Sequence, residues 1–232
     1  MLLQIQPNSS ALNSGIDELP TEKTLSIIDL ITSGGVGGML IMGILFLLSI
    51  ITIYLFVERF RLIKRASKLD ENFMNRIKDN ILDGKLDSAR NLCQSNESPV
   101  ARMIEKGIGR IGKPLKDIAA AIENTGKLEV YRMEQNLASL ATISGAAPMI
   151  GFLGTVIGMI LAFHEMAAAG GQIDVEMLAE GIYTAMSTTV AGLVVGIMAY
   201  VGYNYLVSKV DKVVYTMEAN ATEFMDLLND PN

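Results

Sequence analysis

The chain alternates between long apolar segments and polar segments, and the apolar segments set its predicted architecture. Three windows contain no Asp, Glu, Lys or Arg: residues 30–57, 135–164 and 181–208. Each window is longer than the roughly 20 residues with which an α-helix crosses the hydrocarbon core of a bilayer. Buried helices of soluble proteins rarely stay uncharged over such lengths. The pattern therefore predicts three transmembrane helices.

The polar segments are also predicted to be helical. Residues 69–137 show no strand-like alternation, and Gly, Pro and Asn divide them at 83–84, 96–99 and 107–114. After the third window, apolar positions recur at alternating steps of three and four, as on a packed helix. These positions are Val207, Val210, Val214, Met217, Ala221, Phe224 and Leu228. The third span is thus expected to continue as one helix, packing on the large polar segment or on a neighbouring subunit.

The positive charges predict the orientation in the membrane. Of the 19 Lys and Arg residues, 16 lie between the first and second windows, and none lies between the second and third. Short loops rich in Lys and Arg stay on the cytoplasmic side. The N-terminus is therefore expected on the outer side of the membrane and the C-terminus in the cytoplasm. Because no basic stretch precedes an early apolar run, no cleaved signal peptide is expected.

These patterns predict an all-α integral membrane protein with three transmembrane helices and a large helical cytoplasmic domain. The expected segments are a periplasmic N-terminal segment with a short amphipathic helix (1–34), transmembrane helix 1 (35–57), the cytoplasmic helical domain (58–137), transmembrane helix 2 (138–165), a periplasmic loop (166–180), transmembrane helix 3 (181–207) and a cytoplasmic C-terminal helix (208–232).

The sequence offers little for catalysis or cofactor binding. Cys93 is the only cysteine, and we predict that it is a buried helix residue. His164, the only histidine, is either an interfacial side chain or a proton-handling group. The motif GIGRIG at 107–112 has the spacing of a nucleotide-binding loop, but no predicted strand precedes it, so a turn is expected. We expect no enzymatic activity, no cofactor, no metal and no nucleic-acid partner.

Three basic residues follow the first span at helical spacing. Arg61, Arg65 and Lys68 would share one face of a continuing helix at the membrane surface. Such side chains either fix the topology by extending to the interface or bind anionic membrane lipids. The spacing leaves both interpretations open.

Small and hydroxyl residues form a stripe on each of the last two spans. The second span carries Ser144, Pro148, Gly151, Thr155, Gly158 and Ala162. The third span carries Gly181, Ala185, Thr189, Gly192, Gly196 and Ala199, with Thr184 and Thr188 alongside. Such stripes allow close helix packing in lipid, which is one interpretation. Hydroxyls at membrane depth also line protein interiors or watery paths, which suggests a pore-lining or partner-facing role.

The residues resemble a known family. GAAPMIGFLGTVIGMILAFHEM (145–166) and LAEGIYTAMSTTVAGLVVGIMAYVGYN (178–204) are similar to the paired signature of the MotA/TolQ/ExbB proton-channel proteins. DGKLDSARNLCQSNESPVARMIEKGI (83–108) resembles the loop of the ExbB/TolQ branch, whose three-span layout this chain shares. The resemblance implies an inner-membrane homo-oligomer, a pentamer, around two copies of a single-span ExbD/TolR-like partner. Proton flow would then drive a TonB- or TolA-like transducer.

The resemblance also implies roles for particular residues. GFLGT places a pore threonine at Thr155, and TT-x-x-G places another at Thr189. Thr184 stands where the best-known ExbB and TolQ proteins carry a glutamate, so a proton relay through a carboxylate of this chain is not expected. Two rival functions are a non-conducting scaffold of an envelope complex and a related motor for gliding or another surface machine.

Overall fold

The computed structural model describes residues 35–70, 72–168 and 175–229, and every regular element in these ranges is an α-helix. The helices are α1 (Gly35–Ala66), α2 (Phe73–Leu82), α3 (Leu86–Gln94), α4 (Pro99–Ile108), α5 (Leu115–Glu134), α6 (Leu137–Ala168) and α7 (Val175–Asn229). The predicted amphipathic helix within 1–34 lies outside the described residues, as does the middle of the predicted outer loop.

Among the described residues, three helices are long and apolar enough to cross a membrane: α1, α6 and the first part of α7. They pack on one another, with the largest shared surface between α6 and α7. Their outward faces carry exposed apolar side chains such as Phe46, Phe152 and Ile197. Such faces are stable against lipid or another apolar surface, because exposing them to water would be costly. The all-helical fold and the three membrane-spanning helices are thus as the sequence predicted.

A polar helical body, formed by α2–α5 and the part of α7 after residue 208, packs around its own core. The fully buried side chains include Ile77, Ile104 and Phe224. Helix α4 begins where Ser98 accepts a hydrogen bond from the backbone N–H of Ala101 at 3.2 Å and Pro99 occupies the first turn. Both features are typical of helix starts. The predicted breaks near 83–84, 96–99 and 107–114 separate α2 through α5, and GIGRIG covers the last two residues of α4 and the turn that follows it.

Helix α7 extends well beyond the length that a membrane requires. It runs for 55 residues, and Val210, Val213, Met217 and Phe224 of its second half are buried in the core of the polar helical body. Of the two predicted destinations for this apolar stripe, the structure shows packing on helices of the same chain.

Buried charges join the end of α1 to this body. Arg59 is 4% exposed and donates hydrogen bonds to the Arg132 carbonyl oxygen at 3.2 Å and to Glu58 at 3.3 Å. In α5, the buried Glu129 carboxylate accepts hydrogen bonds from Arg102 at 2.5 Å and Arg132 at 2.7 Å. Buried charges are tolerated when they are paired in this way. The end of the first membrane helix is therefore joined to α5, which Arg102 in turn joins to α4.

Cys93 is buried in α3, as the sequence predicted, and it provides a test of the core. Burial, with a smaller contribution from the Glu105 carboxylate, raises the pKa of the Cys93 thiol to about 12 from its ordinary 9.0. We expect the native thiol to react with maleimide only as the protein unfolds, because the reactive thiolate is scarce and shielded. Cys93→Ala/Ser95→Cys moves the thiol to an exposed position and should react rapidly without unfolding.

The same shift predicts how stability depends on pH. The unfolded chain loses the thiol proton near pH 9, whereas the folded chain holds it to about pH 12. The contribution of this thiol to the free energy of unfolding is therefore fully present below pH 9 and is lost as the pH rises toward 12.

Equally fast labelling of Cys93 and of the exposed control cysteine in the native protein would contradict the buried environment.

Candidate functional site

The α6–α7 seam is the surface along which these two membrane helices touch through their backbones. A Cβ added to Gly192 would lie 2.6 Å from the Ala147 carbonyl oxygen and 2.9 Å from the Gly151 Cα. A Cβ added to Gly151 would lie 2.7 Å from the Thr188 carbonyl oxygen. Real side chains cannot occupy these positions without moving the backbone. The glycines are therefore required here by space.

The other predicted small positions continue the seam in both directions. A Cβ at Gly196 would lie 2.6 Å from the ring of Pro148, and one at Gly158 would lie 2.9 Å from the Ala185 Cβ. At the other end, a Cβ at Gly181 would lie 2.6 Å from the Ala162 Cβ. The six predicted positions thus all face the other helix of the same chain: Pro148, Gly151, Gly158, Gly181, Gly192 and Gly196.

Gly154 belongs to the seam as well, although the sequence stripe did not include it. A Cβ at this position would clash with the side chain of Thr188. Gly154 lies three residues after Gly151, and residues three apart share a helix face. This spacing was the signal that could have revealed it.

The four predicted pore threonines fall into two pairs. Thr184 and Thr188 are buried, at 8% and 2% exposure, whereas Thr155 and Thr189 are only partly buried. The Thr188 hydroxyl lies 2.7 Å from the Ala185 carbonyl oxygen and 3.1 Å from that of Gly151, so both carbonyls can accept from it. Thr184 faces α1, since a Cβ at Gly38 would lie 3.9 Å from its methyl group. The first pair therefore lies inside the three-helix bundle.

Thr155 and Thr189 lie along the edge of the seam that points away from α1. Thr155 is two residues before Ile157, which contacts α1, and two residues turn a helix by about 200°. On α7, Thr184 faces α1. Thr189 follows Thr184 by five residues, so its side chain is about 140° away from that of Thr184 around the helix axis. The two hydroxyls thus share one side of the seam.

Both of these hydroxyls donate to backbone carbonyls and keep their acceptor capacity. Thr155 donates to the Phe152 carbonyl oxygen at 2.5 Å, and Thr189 donates to the Gly151 carbonyl oxygen at 3.2 Å. A hydroxyl has one donor and two acceptor lone pairs. With its donor committed, each threonine can accept a hydrogen bond from water or from a group on another chain.

No carboxylate accompanies these hydroxyls inside the spans. The acids nearest the three uncharged windows are Asp29, Glu58, Glu134, Glu165 and Glu180, all beyond their ends. At about 1.5 Å per residue of helix, the middles of the second and third windows lie roughly 20 Å from the nearest of these acids, and the middle of the first window lies as far from Glu58. His164 is exposed near the end of α6 rather than in its middle. The seam can orient water, but it holds no group that titrates like a carboxylate.

The predicted membrane-surface basic residues are divided between two cavities. Arg61 and Arg65 line a cavity of about 830 Å³ beside Glu97 and Arg102. Helix α1 ends at Ala66, so Lys68 leaves the helical face of the two arginines. It lines a separate cavity of about 410 Å³ between α1 and α7.

Comparisons with known proteins match this architecture. The model of the MotA/TolQ/ExbB proton channel family matches residues 95–219, which include α6 and most of α7. A biopolymer transport protein ExbB homologue of Methanothermobacter thermautotrophicus is 29% identical over 199 residues, which are 83% of this chain and 67% of that protein. The Tol-Pal system protein TolQ of Haemophilus influenzae is 26% identical over 88% of this chain and 94% of its own length.

Shorter matches concentrate on part of the chain. The biopolymer transport protein ExbB of Helicobacter pylori is 37% identical over 79 residues, or 34% of this chain and 54% of that protein. The aligned part of this chain thus spans about half the length of that relative. The family model, by contrast, covers more than half of this chain, and it includes the seam and its threonines. This chain belongs to the MotA/TolQ/ExbB proton channel family.

Proposed function

We propose that this chain is the channel-forming subunit of an inner-membrane complex that uses the proton-motive force to do work at the outer membrane. The observation that carries this proposal is the pair of hydroxyls at Thr155 and Thr189. They lie on one side of the α6–α7 seam, away from α1, within spans that have no carboxylate. Membership of a proton-channel family, whose members are channels and transducers rather than enzymes, supports the same role.

In the proposed assembly, α1 lies on the outer side of a ring of subunits, and the edge of the α6–α7 seam that carries the two hydroxyls faces the centre of the ring. We infer a homo-oligomer, a pentamer as in the family, in which α1 faces lipid and Thr155 and Thr189 line a central path. Many apolar side chains on the free faces of α6 and α7 are exposed in the single chain, so neighbouring subunits can cover them. The polar helical body would be cytoplasmic and the N-terminus periplasmic, because Lys and Arg concentrate between the first two spans.

The proposed mechanism needs a second chain. The hydroxyls can orient water and accept hydrogen bonds, but they do not store a proton as a carboxylate does. An ExbD/TolR-like single-span partner, present as a dimer in the path, would supply the acidic side chain. An acid at membrane depth is costly and is therefore usually functional. Proton transfer through that acid would then drive a TonB- or TolA-like transducer, as the resemblance to the ExbB/TolQ branch implies.

A non-conducting scaffold is the second candidate, and one observation favours it. All six predicted small positions and the buried Thr184 and Thr188 contribute to packing within one chain. A scaffold would need that packing and nothing more. The hydroxyls of Thr155 and Thr189 are the residues that separate the two functions.

Thr155→Val and Thr189→Val test the proposal. Valine has nearly the same shape as threonine, so folding and assembly should persist while the hydroxyl is lost. We expect each substitution to reduce transduction about fivefold, the factor that corresponds to the net contribution of one hydrogen bond, about 1 kcal/mol. The measurements are growth on a TonB-dependent iron source and resistance to detergent, in a strain that lacks its own copy. Growth on the iron source reports the activity of a TonB-like transducer, and resistance to detergent reports the activity of a TolA-like transducer.

Thr142→Val is the matched control. Thr142 is also on α6, and its hydroxyl donates to the Ala138 carbonyl oxygen at 2.9 Å, but it is exposed and lies outside the seam. It should leave transduction unchanged. Full activity of the Thr155→Val/Thr189→Val double variant would contradict a proton path lined by these two hydroxyls, and it would favour the non-conducting scaffold.

A further inference from the structure

A basic cavity of about 410 Å³ lies between α1 and α7, at the ends of their uncharged windows. Two lysines come from the end of α1 and the residues after it, and two come from α7: Lys64, Lys68, Lys209 and Lys212. Ser67 adds a hydroxyl to the same lining. Two segments far apart in sequence therefore place four lysines and a serine around one space.

The floor and rim of this cavity are apolar and aromatic. Ile63 and Leu206 are buried beneath it. At its rim, the rings of Phe60 and Tyr205 lie 6.2 Å apart, with Lys64 5.8 Å from the first ring and Lys209 5.3 Å from the second. Aromatic rings beside basic residues are typical of the membrane–water interface. The cavity thus combines the residue types that favour the level of lipid headgroups.

The cavity contains no negative charge to balance the lysines. No Asp or Glu lines it, and among the described residues none of its four lysines forms an ion pair. Like charges held close together repel one another unless an anion lies between them. The cavity is thus electrostatically suited to an anion that would relieve this repulsion.

The neighbouring cavity of Arg61 and Arg65 differs in this respect. Its lining includes the acids Glu58 and Glu97, and its third arginine, Arg102, is already bound to Glu129. Its positive charges are therefore partly neutralised within the protein. Although both cavities flank the end of α1, the lysine cavity is the one with unbalanced charge.

We propose that the lysine cavity binds the phosphodiester headgroup of an anionic phospholipid. The ammonium groups would contact the phosphate oxygens, Ser67 would donate a hydrogen bond, and the acyl chains would follow the aromatic and apolar surface of α1 and α7. Basic pockets between transmembrane helices recognise such headgroups through charge and hydrogen bonds. This role does not depend on proton conduction. It makes the lipid a ligand that joins α1 to α7.

Lipid-dependent stability of the full-length protein in detergent tests this proposal. The unfolding midpoint is followed by labelling of the buried Cys93, with cardiolipin, phosphatidylglycerol, phosphatidylcholine or inorganic phosphate added separately. We expect the two anionic lipids to raise the midpoint, and phosphatidylcholine and free phosphate to leave it unchanged. Lys64→Gln/Lys209→Gln should weaken the apparent affinity for anionic lipid about thirtyfold. Each lysine near the headgroups contributes a factor of about five to six to the affinity, and the variant removes two of them.

Two control variants remove the same charge elsewhere. Lys78→Gln/Lys116→Gln alters exposed lysines on α2 and α5, and Arg61→Gln/Arg65→Gln alters the neighbouring cavity. Both should keep most of the lipid effect, whereas Lys68→Gln/Lys212→Gln should lose it like the first variant. The proposal is overturned if the two double variants of the cavity lysines keep the anionic-lipid effect, or if the arginine variant loses as much as they do. An equal response to phosphatidylcholine or to inorganic phosphate would overturn it too.

Discussion

Gly192→Ala is expected to force α6 and α7 apart and to lower the free energy of unfolding by about 1–3 kcal/mol, the usual cost of overpacking. The new methyl group would lie 2.6 Å from the Ala147 carbonyl oxygen and 2.9 Å from the Gly151 Cα. Both are backbone atoms, so no side chain can rotate to make room. The shift would also disturb the hydrogen bond from Thr189 to the Gly151 carbonyl, and transduction should fall with stability.

Gly145→Ala is the matched control for this effect. Gly145 is on α6, and a Cβ there would meet nothing within 4 Å. Alanine should therefore leave stability unchanged or raise it slightly, because it favours helix more than glycine does. Urea unfolding followed by Cys93 labelling compares the two variants. Equal stabilities would contradict the close backbone contact at Gly192.

Hydrophobic periodicity was sufficient to predict most of the fold. An uncharged window can be stable in water only if it is buried, so windows of this length indicate membrane helices. The breaks near Gly84, Pro99 and Pro114 were predictable because glycine and proline interrupt helices for local steric reasons. The continuation of α7 into the polar helical body followed from its apolar stripe, which needed a surface to cover it.

The partners of each helix face were not predictable in the same way. A stripe of small residues shows that something approaches closely, but it does not show which helix does so. The structure assigns that role to the other helix of the same chain, as in the contact of Gly158 with Ala185. The separation of Thr188 from Thr189 likewise depends on how α7 is rotated relative to α1. That rotation is a property of tertiary packing.

The charged residues after α1 show a second limit of sequence patterns. Placing Arg61, Arg65 and Lys68 on one face assumed that the helix continued, whereas it ends at Ala66. Arg59 is buried because its guanidinium reaches the Arg132 carbonyl in α5, 73 residues away in the sequence. No local pattern carries that information, and only the adjacent Glu58 hinted at a paired charge.

Proton flux in sealed vesicles is expected to require a second chain. The middle of each uncharged window is roughly 20 Å from the nearest acid of this chain, which no side chain can span. The group that carries the proton at mid-membrane must then come from a partner. Glu180→Gln and His164→Gln are therefore expected to conduct as the unchanged protein does when the partner is present.

The decisive measurement compares flux through vesicles that contain this protein alone, or with the proposed single-span partner, or with a form of that partner whose proposed membrane Asp is replaced by Asn. We expect rapid flux only with the unchanged partner, and the rate of protein-free vesicles in the other two cases. Rapid, specific proton flux through this protein alone would contradict a path that depends on the partner's carboxylate.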